Sequence, residues 1–305
     1  MNMEKYVKCN LCGSDNYTTL YKSGEAQINQ IVKCNCCGLM YSNPRQQLED
    51  CESIENYDPE WILNHLHLPD LQQRIEKERL QVKDYENTKS ILNQLYPNRG
   101  QVIEVGSGFG YLLKFFQEDG WETIGVEPNV ALCRYAESEN HIDTVPTILE
   151  KANISSSSAN LILMMHVIEH VPEPLATLQE VYRILKPGGT FVLETPCYDT
   201  FLFKLLGKRE RSLSCDGHIY FFTTETLTKM VNQVGFNVWK LERVGRTLTL
   251  ERLMYNIGVI SKSKKILDFL VNSSRKLRLN QVSFSLNFGD MQRLYLQKAV
   301  VDSKV

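Results

Sequence analysis

Four cysteines near the N-terminus fall into two pairs, Cys9-Asn10-Leu11-Cys12-Gly13 and Cys34-Asn35-Cys36-Cys37-Gly38, with 21 residues between the pairs. Two residues between thiols let both sulfurs reach one ion from a tight turn, and the glycine that follows admits the positive φ such a turn needs. Two turns of this kind supply four thiolates, which suits tetrahedral Zn2+ and leaves no open coordination position, so the site reads as structural. Cys36 fits the spacing less well. Further along, Gly106-Ser107-Gly108-Phe109-Gly110 forms a glycine-rich turn, with Glu104 two residues before it and Glu127 at 23 positions beyond Glu104. Such a turn brings backbone N–H groups and a helix N-terminus close to a ligand. A carboxylate at the next strand tip can accept both hydroxyl protons of a ribose. A third group comprises His166, Glu169 and His170 in one run and His218 in another, imidazoles and a carboxylate suited to proton transfer.

These residues need strands and helices to carry them. Residues 102–105 form a short apolar strand, and 111–116 an apolar-faced helix. Residues 123–126 and 161–165 read as further strands, the latter continuously apolar as a central parallel strand should be. A helix face follows in Leu175, Leu178, Val181, Tyr182 and Leu185, closed by Lys186-Pro187-Gly188-Gly189. Then come a strand at 190–194, a helix at 224–234 capped by Gly235, a strand at 236–239 and a last strand at 291–296. Alternation of this kind predicts a doubly wound α/β sheet with ligands at the carboxyl ends of its strands.

The domain organisation follows. Residues 1–45 form a cysteine lobe too small to hold itself together by core alone, which gives a metal its purpose. Residues 46–98 form a helical connector, with Leu71, Ile75, Val82 and Tyr85 at loosely helical spacing and a turn at Tyr57-Asp58-Pro59-Glu60-Trp61. Residues 99–305 form the main domain, with a helical lid inserted at 245–282. Ten basic residues against three acidic ones give residues 238–280 a charge of +7 and leave −9 for the rest.

The whole chain is 305 residues, 43% apolar and 23% charged, with a net charge of −2. That balance opposes a nucleic-acid partner held by bulk charge. No apolar run approaches the ~18 residues of a membrane span. The N-terminal residues lack the apolar core of a secretory signal. Nine cysteines in such a chain point to a cytoplasmic protein with metal-bound thiols rather than a disulfide framework. Lys204, Lys208, Arg209 and Arg211 cluster after the fifth strand, where they could pair with phosphate or pyrophosphate or be a solvated surface. The basic insert could likewise pack over the substrate cleft, or meet an anionic glycan or a membrane surface.

On these motifs the chain resembles a class I S-adenosylmethionine (SAM)-dependent methyltransferase. The residues that carry the resemblance are the 104–110 turn, Glu127, His166-Val167-Ile168-Glu169-His170-Val171 and Leu185-Lys186-Pro187-Gly188-Gly189. The last two blocks resemble the branch of ubiquinone-biosynthesis O-methyltransferases and sugar methyltransferases. The cysteine lobe, running on into Gly38-Leu39-Met40-Tyr41-Ser42-Asn43-Pro44, resembles the zinc-ribbon module of sugar and polysaccharide methyltransferases. The resemblance implies a seven-stranded Rossmann-like sheet with SAM as cofactor and Zn2+ as structural ion. Glu104, Gly106, Ser107, Gly108, Gly110 and His166 would then line SAM, Glu127 would hold its ribose, and Ile148 and Leu149 its adenine. His218, His170 and Glu169 would serve the reaction, with His218 as base. The implied acceptor is a small molecule or glycan, admitting a phosphate-bearing one, methylated at a sugar hydroxyl. The segment at Asp216-Gly217-His218 also resembles sugar C-methyltransferases, but Cys215 and Gly217 stand where those enzymes have Tyr and Glu, which weakens a keto-sugar C-methylation. Other readings are an RNA methyltransferase with a zinc module, a dinucleotide domain on the same glycine turn, and a non-catalytic binding module.

Overall fold

The computed structural model describes residues 4–25, 29–46, 71–214, 217–250 and 283–300, with single positions between 254 and 276. The cysteine lobe carries β1 (Glu4–Lys5), β2 (Tyr17–Tyr21), β3 (Ile31–Cys34), β4 (Met40–Ser42) and β5 (Arg45–Gln46). Two helices, α1 (Leu71–Gln81) and α2 (Glu86–Leu95), lead into the main sheet. There follow β6 (Gln101–Val105), α3 (Tyr111–Gln117), β7 (Glu122–Val126), α4 (Val130–Asn140), β8 (Thr144–Val145) and β9 (Ala159–Met165). The chain continues through α5 (Pro174–Ile184), β10 (Leu185–Pro196), α6 (Phe201–Leu206), β11 (Tyr220–Phe221), α7 (Thr224–Val234), β12 (Phe236–Thr249) and β13 (Ser283–Lys298).

Seven strands pair in the order β12-β13-β10-β9-β6-β7-β8. β10, β9, β6, β7 and β8 run parallel, and β13 runs antiparallel to both β10 and β12. The central strands are apolar on both faces because helices cover both. On one face Leu92, Leu113, Phe116 and Trp121 pack against Val102, Leu161 and Val192. On the other, Leu178, Val181, Leu227 and Val231 pack against Ile103, Ile162 and Phe191.

The cysteine lobe does not hang apart from this core. Cys9, Leu11, Val32, Leu39 and Tyr41 belong to the same apolar cluster as Ile162 and Phe191. Its sheet is completed by the main domain: the order is β11-β4-β3-β2, with Tyr220 opposite Tyr41 and Phe221 opposite Met40. Sequence spacing had no means of pairing a two-residue strand at 220 with one at 40.

Two sequence readings change. β12 runs through Thr249, so residues 245–249 are strand rather than the start of a helical insert. β13 begins at Ser283, well before the pattern at 291–296. The long β12–β13 ribbon accounts for both, and its distal part carries a period-two signal in Phe284, Leu286 and Phe288 that the sequence reading passed over. Met254, Lys265, Phe269, Leu270, Asn272, Ser273 and Lys276 are helical, and the other residues at 251–282 lie outside the described ones, as do Tyr57–Trp61, Cys51 and Cys215.

Candidate active site

The glycine turn sits between the carboxyl end of β6 and the start of α3. Gly106, Gly108 and Gly110 have φ of 73°, 53° and 77°, a region that side chains rarely adopt. At Gly106 a Cβ would stand 2.4 Å from Val167, so the residue after His166 closes directly on the turn. Glu127, at the end of β7, accepts from the Gly108 N–H at 3.0 Å and from the Asn129 N–H at 2.9 Å. Asn129 caps α4. The carboxylate is thereby aimed across the turn before any ligand arrives.

Three carboxylates converge here. Burial raises Glu104 well above the ordinary carboxyl range, and the charges of Glu78 and Glu127 add to it. Burial also raises Glu127, against the pull of its two N–H donors. Glu78, on α1, lies beside Gly108 and pairs with Arg74 at 2.6 Å. Glu104 Oε2 and Ser107 Oγ are buried without a hydrogen-bond partner among the described residues. Buried polar atoms without partners need explanation, and a bound ligand supplies one. The ligand that fits is cationic. SAM brings a sulfonium and an ammonium to these acids, whereas a dinucleotide would bring a pyrophosphate against them. Ile148 is half-buried ahead of a short 3-10 turn, whereas Leu149 is buried in the core beside Val126.

The second half of the cleft is assembled from separate segments. His166 follows β9 with φ of 60°, a strained backbone for a non-glycine residue. Its N–H donates to the Glu194 carbonyl at 2.9 Å, and its Nε2 lies 3.1 Å from Glu194 Oε1. Glu194 Oε2 in turn pairs with Arg293 at 2.6 Å, both side chains being buried. Arg293 also donates to Thr88 Oγ1 and stacks over the Tyr85 ring. Burial would lower His166, but the bonds to Glu169 and Glu194 outweigh it and raise it above the usual imidazole range. Burial would raise Glu194, but His166 and Arg293 hold it at about 2.

Glu169 accepts from Thr195 Oγ1 at 2.9 Å. Its carboxylate and the ring nitrogens of His170 and His218 all lie within 4.8 Å of one another. The two imidazoles meet edge to face, with centroids 4.6 Å apart. Burial would raise Glu169, yet its histidine neighbours hold it at about 2. Burial, helped by the charge of His170, lowers His218 to about 4, so at neutral pH it is an uncharged proton acceptor. The Tyr198 hydroxyl lies 3.4 Å from His218 Nδ1. His170 does not cap α5: the helix starts with Pro174, and Asn10 of the cysteine lobe accepts from the Leu175 N–H at 3.0 Å.

The lobe reaches this half at several points. The Ser42 N–H donates to the Ile219 carbonyl, and the Ile219 and Tyr220 N–H groups donate to the Glu169 carbonyl. Arg45 donates to the Pro172 carbonyl and stacks on Tyr220, which donates to the same carbonyl. Within the lobe, the Cys9, Cys12, Cys34 and Cys37 sulfurs lie within 4.8 Å of one another. Cys9–Cys37 is 3.4 Å and Cys12–Cys34 is 3.5 Å. Zn–S bonds of about 2.3 Å in a tetrahedron put sulfurs about 3.8 Å apart, so the four fit one ion. Cys36 is exposed and bonds to Ser14 instead.

The glycine turn, Glu127, the histidine run and His218 thus come together at the carboxyl edge of the sheet, whereas the Leu185–Gly189 block lies at its amino edge, Leu185 pairing with Ala159 at the start of β9. Lys208 also stands apart, pairing with Glu25 of the lobe at 3.4 Å on an exposed surface. Sequence reasoning missed Glu78, Glu194, Arg293 and Tyr198. Glu194 had a visible signal, an acid ending an apolar strand as Glu104 does. The others had none.

A family model described as a methyltransferase domain matches residues 74–241. The chain belongs to that methyltransferase family, and its seven-stranded sheet has the fold of solved SAM-dependent methyltransferases. The ubiquinone biosynthesis O-methyltransferase of Psychrobacter arcticus is 29% identical over 150 residues, 45% of this chain and 58% of that protein. The tRNA U34 carboxymethyltransferase of Saccharophagus degradans is 24% identical over 160 residues, 50% of this chain and 49% of that one. The chain thus spans about half the length of these relatives. A solved SAM-dependent methyltransferase of Thermotoga maritima, described as a possible histamine N-methyltransferase, superposes with a TM-score of 0.50 at 19% identity, covering 78% of this chain and 99% of the other. A methyltransferase structure from Bacillus halodurans gives 0.50 at 18% identity, over 70% and 100%. Both share the fold. No helix among the described residues is long and apolar enough to cross a membrane.

Proposed function

We propose that this methyltransferase transfers its methyl group to a hydroxyl of a small-molecule acceptor, a sugar of a glycan precursor, with His218 as the base. The observation that carries this is the half-buried His218 imidazole held against Glu169 and His170, where burial lowers it below the usual imidazole range. SAM supplies an electrophilic methyl on a sulfonium. As the O–CH3 bond forms and the S–CH3 bond breaks, the hydroxyl proton passes to a ring nitrogen of His218. Tyr198 beside Nδ1 leaves Nε2 to face the acceptor. Glu169, pinned by Thr195, stabilises the imidazolium that results. The O-methyltransferases among the relatives support oxygen as the methylated atom. The resemblance of the cysteine lobe to modules of sugar enzymes supports the glycan class, and a cytoplasmic setting accords with its thiols.

Glu104, Gly106, Ser107, Gly108, Gly110, Glu127, Ile148 and His166 would hold SAM, with Leu149 backing Ile148 from the core. Cys9, Cys12, Cys34 and Cys37 would hold a structural Zn2+. The test is transfer from labelled SAM into fractionated cell extract. His218→Ala should leave SAM affinity intact while turnover falls. Unchanged turnover would remove His218 as base, and label confined to RNA would replace the acceptor class.

A further inference from the structure

Of the five basic side chains along the β12–β13 ribbon, three pair with an acid and Lys298 donates to the Tyr182 and Leu185 carbonyls. Lys240 pairs with Glu242, Arg243 with Asp199, and Arg293 with Glu194, each at 2.6 Å. Arg246 differs. Among the described residues no carboxylate lies within ion-pair reach of it, and its Nε is buried without a hydrogen-bond partner. Among the described residues its one side-chain hydrogen bond, from Nη2, is to the Met291 thioether, a weak acceptor. Leaving a half-buried guanidinium in this state is unfavourable unless an anion completes it.

Its position is set by an irregularity in the ribbon. Val244 pairs with Met291, but Arg246 pairs with Leu286, so residues 287–290 bulge out opposite Gly245. The shift breaks the ordinary alternation of the strand, and such bulges re-aim side chains. Met291, on which the guanidinium rests, pairs with Pro196, the residue after the Thr195 that holds Glu169, so Arg246 lies at the carboxyl end of β10 on the acceptor side of the cleft.

We infer that Arg246 binds an anionic oxygen group of the acceptor, a phosphate or carboxylate, and so fixes which hydroxyl meets His218. The planar fork of an arginine matches the paired oxygens of either group. This inference rests on the methyltransferase reading above. It also moves the anion contact from the exposed cluster around Lys208 to the cleft itself.

The test uses the full-length protein and label from SAM. The labelled product should be retained on an anion exchanger at pH 8. Combined phosphodiesterase and phosphatase treatment that abolishes retention identifies a phosphate, and retention that survives both identifies a carboxylate. Arg246→Gln should raise the acceptor KM about 10- to 100-fold, with Arg246→Lys in between, while calorimetry shows unchanged SAM affinity. That unchanged affinity shows that the variants are folded. A neutral labelled product, or wild-type KM in Arg246→Gln, overturns the inference and spares the methyltransferase reading. No labelled product from any fraction sinks both.

Discussion

The two halves of the cleft are built in different ways. The cofactor half centres on one β-α-β step, since residues 104–127 carry the glycine turn and two of its three carboxylates, with Glu78 and Ile148 added from elsewhere and His166 shared with the acceptor half. The acceptor half draws on His166, Glu169 and His170 after β9, Glu194 and Thr195 of β10, His218 before β11, and Arg293 of β13. It is braced from outside by Ser42, Arg45 and Asn10 of the cysteine lobe. A site made from one local unit is preorganised by its own backbone. A site gathered from four segments depends on whatever holds the segments together.

The sharpest way to break this comparison is to unfasten the lobe. Replacing Cys9 and Cys37 by Ser, or stripping the metal with a chelator, should lower turnover by roughly 1000-fold or more, since misplacement of about 1 Å already costs ~100-fold. SAM affinity by calorimetry should stay within about threefold, because among the described residues no hydrogen bond joins the lobe to the glycine turn. Loss of SAM binding in step with turnover would show that the two halves are not separable.

Next in size is His218→Ala, which should reduce turnover by roughly 100- to 10,000-fold at unchanged SAM affinity. The mirror experiment is Glu127→Ala. Loss of a buried, charge-assisted acceptor should weaken SAM binding by about 100-fold, and calorimetry that finds wild-type affinity would remove Glu127 from the cofactor site.

A smaller effect concerns pH. Glu194 is depressed from 4.5 to about 2 in the fold, so its contribution is present above pH 4.5 and is lost as pH falls toward 2. His166 is raised above 6.5, so its contribution is full below that value and fades as pH rises through the raised one. The pair should be most stabilising between about 4.5 and 6.5. Glu194→Gln should flatten the fall of Tm between pH 4.5 and 3, and an unchanged acid slope would dissociate the pair from stability. The smallest effect should come from Asn10→Ala, which removes the N–H acceptor at the start of α5. A loss of about 1 kcal/mol is expected in denaturant unfolding, with acceptor KM shifted more than SAM affinity.

Legibility followed the same division. Glu104, the three glycines and Glu127 could be read directly because one turn and the next strand tip hold them. The four thiols could be read because two C-x2-C turns specify their own geometry. His218 and His170 could be named as candidates, but not their edge-to-face contact, nor the burial that keeps His218 neutral. Glu78 and Arg293 gave no signal, since each acts on a partner distant in the chain.

The chain's linear pattern therefore determined the fold class, the cofactor turn and the thiol set, because each is encoded by residues within one β-α-β step or one pair of knuckles. Tertiary structure alone decided that β11 joins the cysteine lobe to the acceptor histidines, that Arg293 and Glu194 hold His166, and that Arg246 rests on Met291. Those outcomes depend on strand order, register and burial, and each joins residues too far apart in the chain for local spacing to relate them.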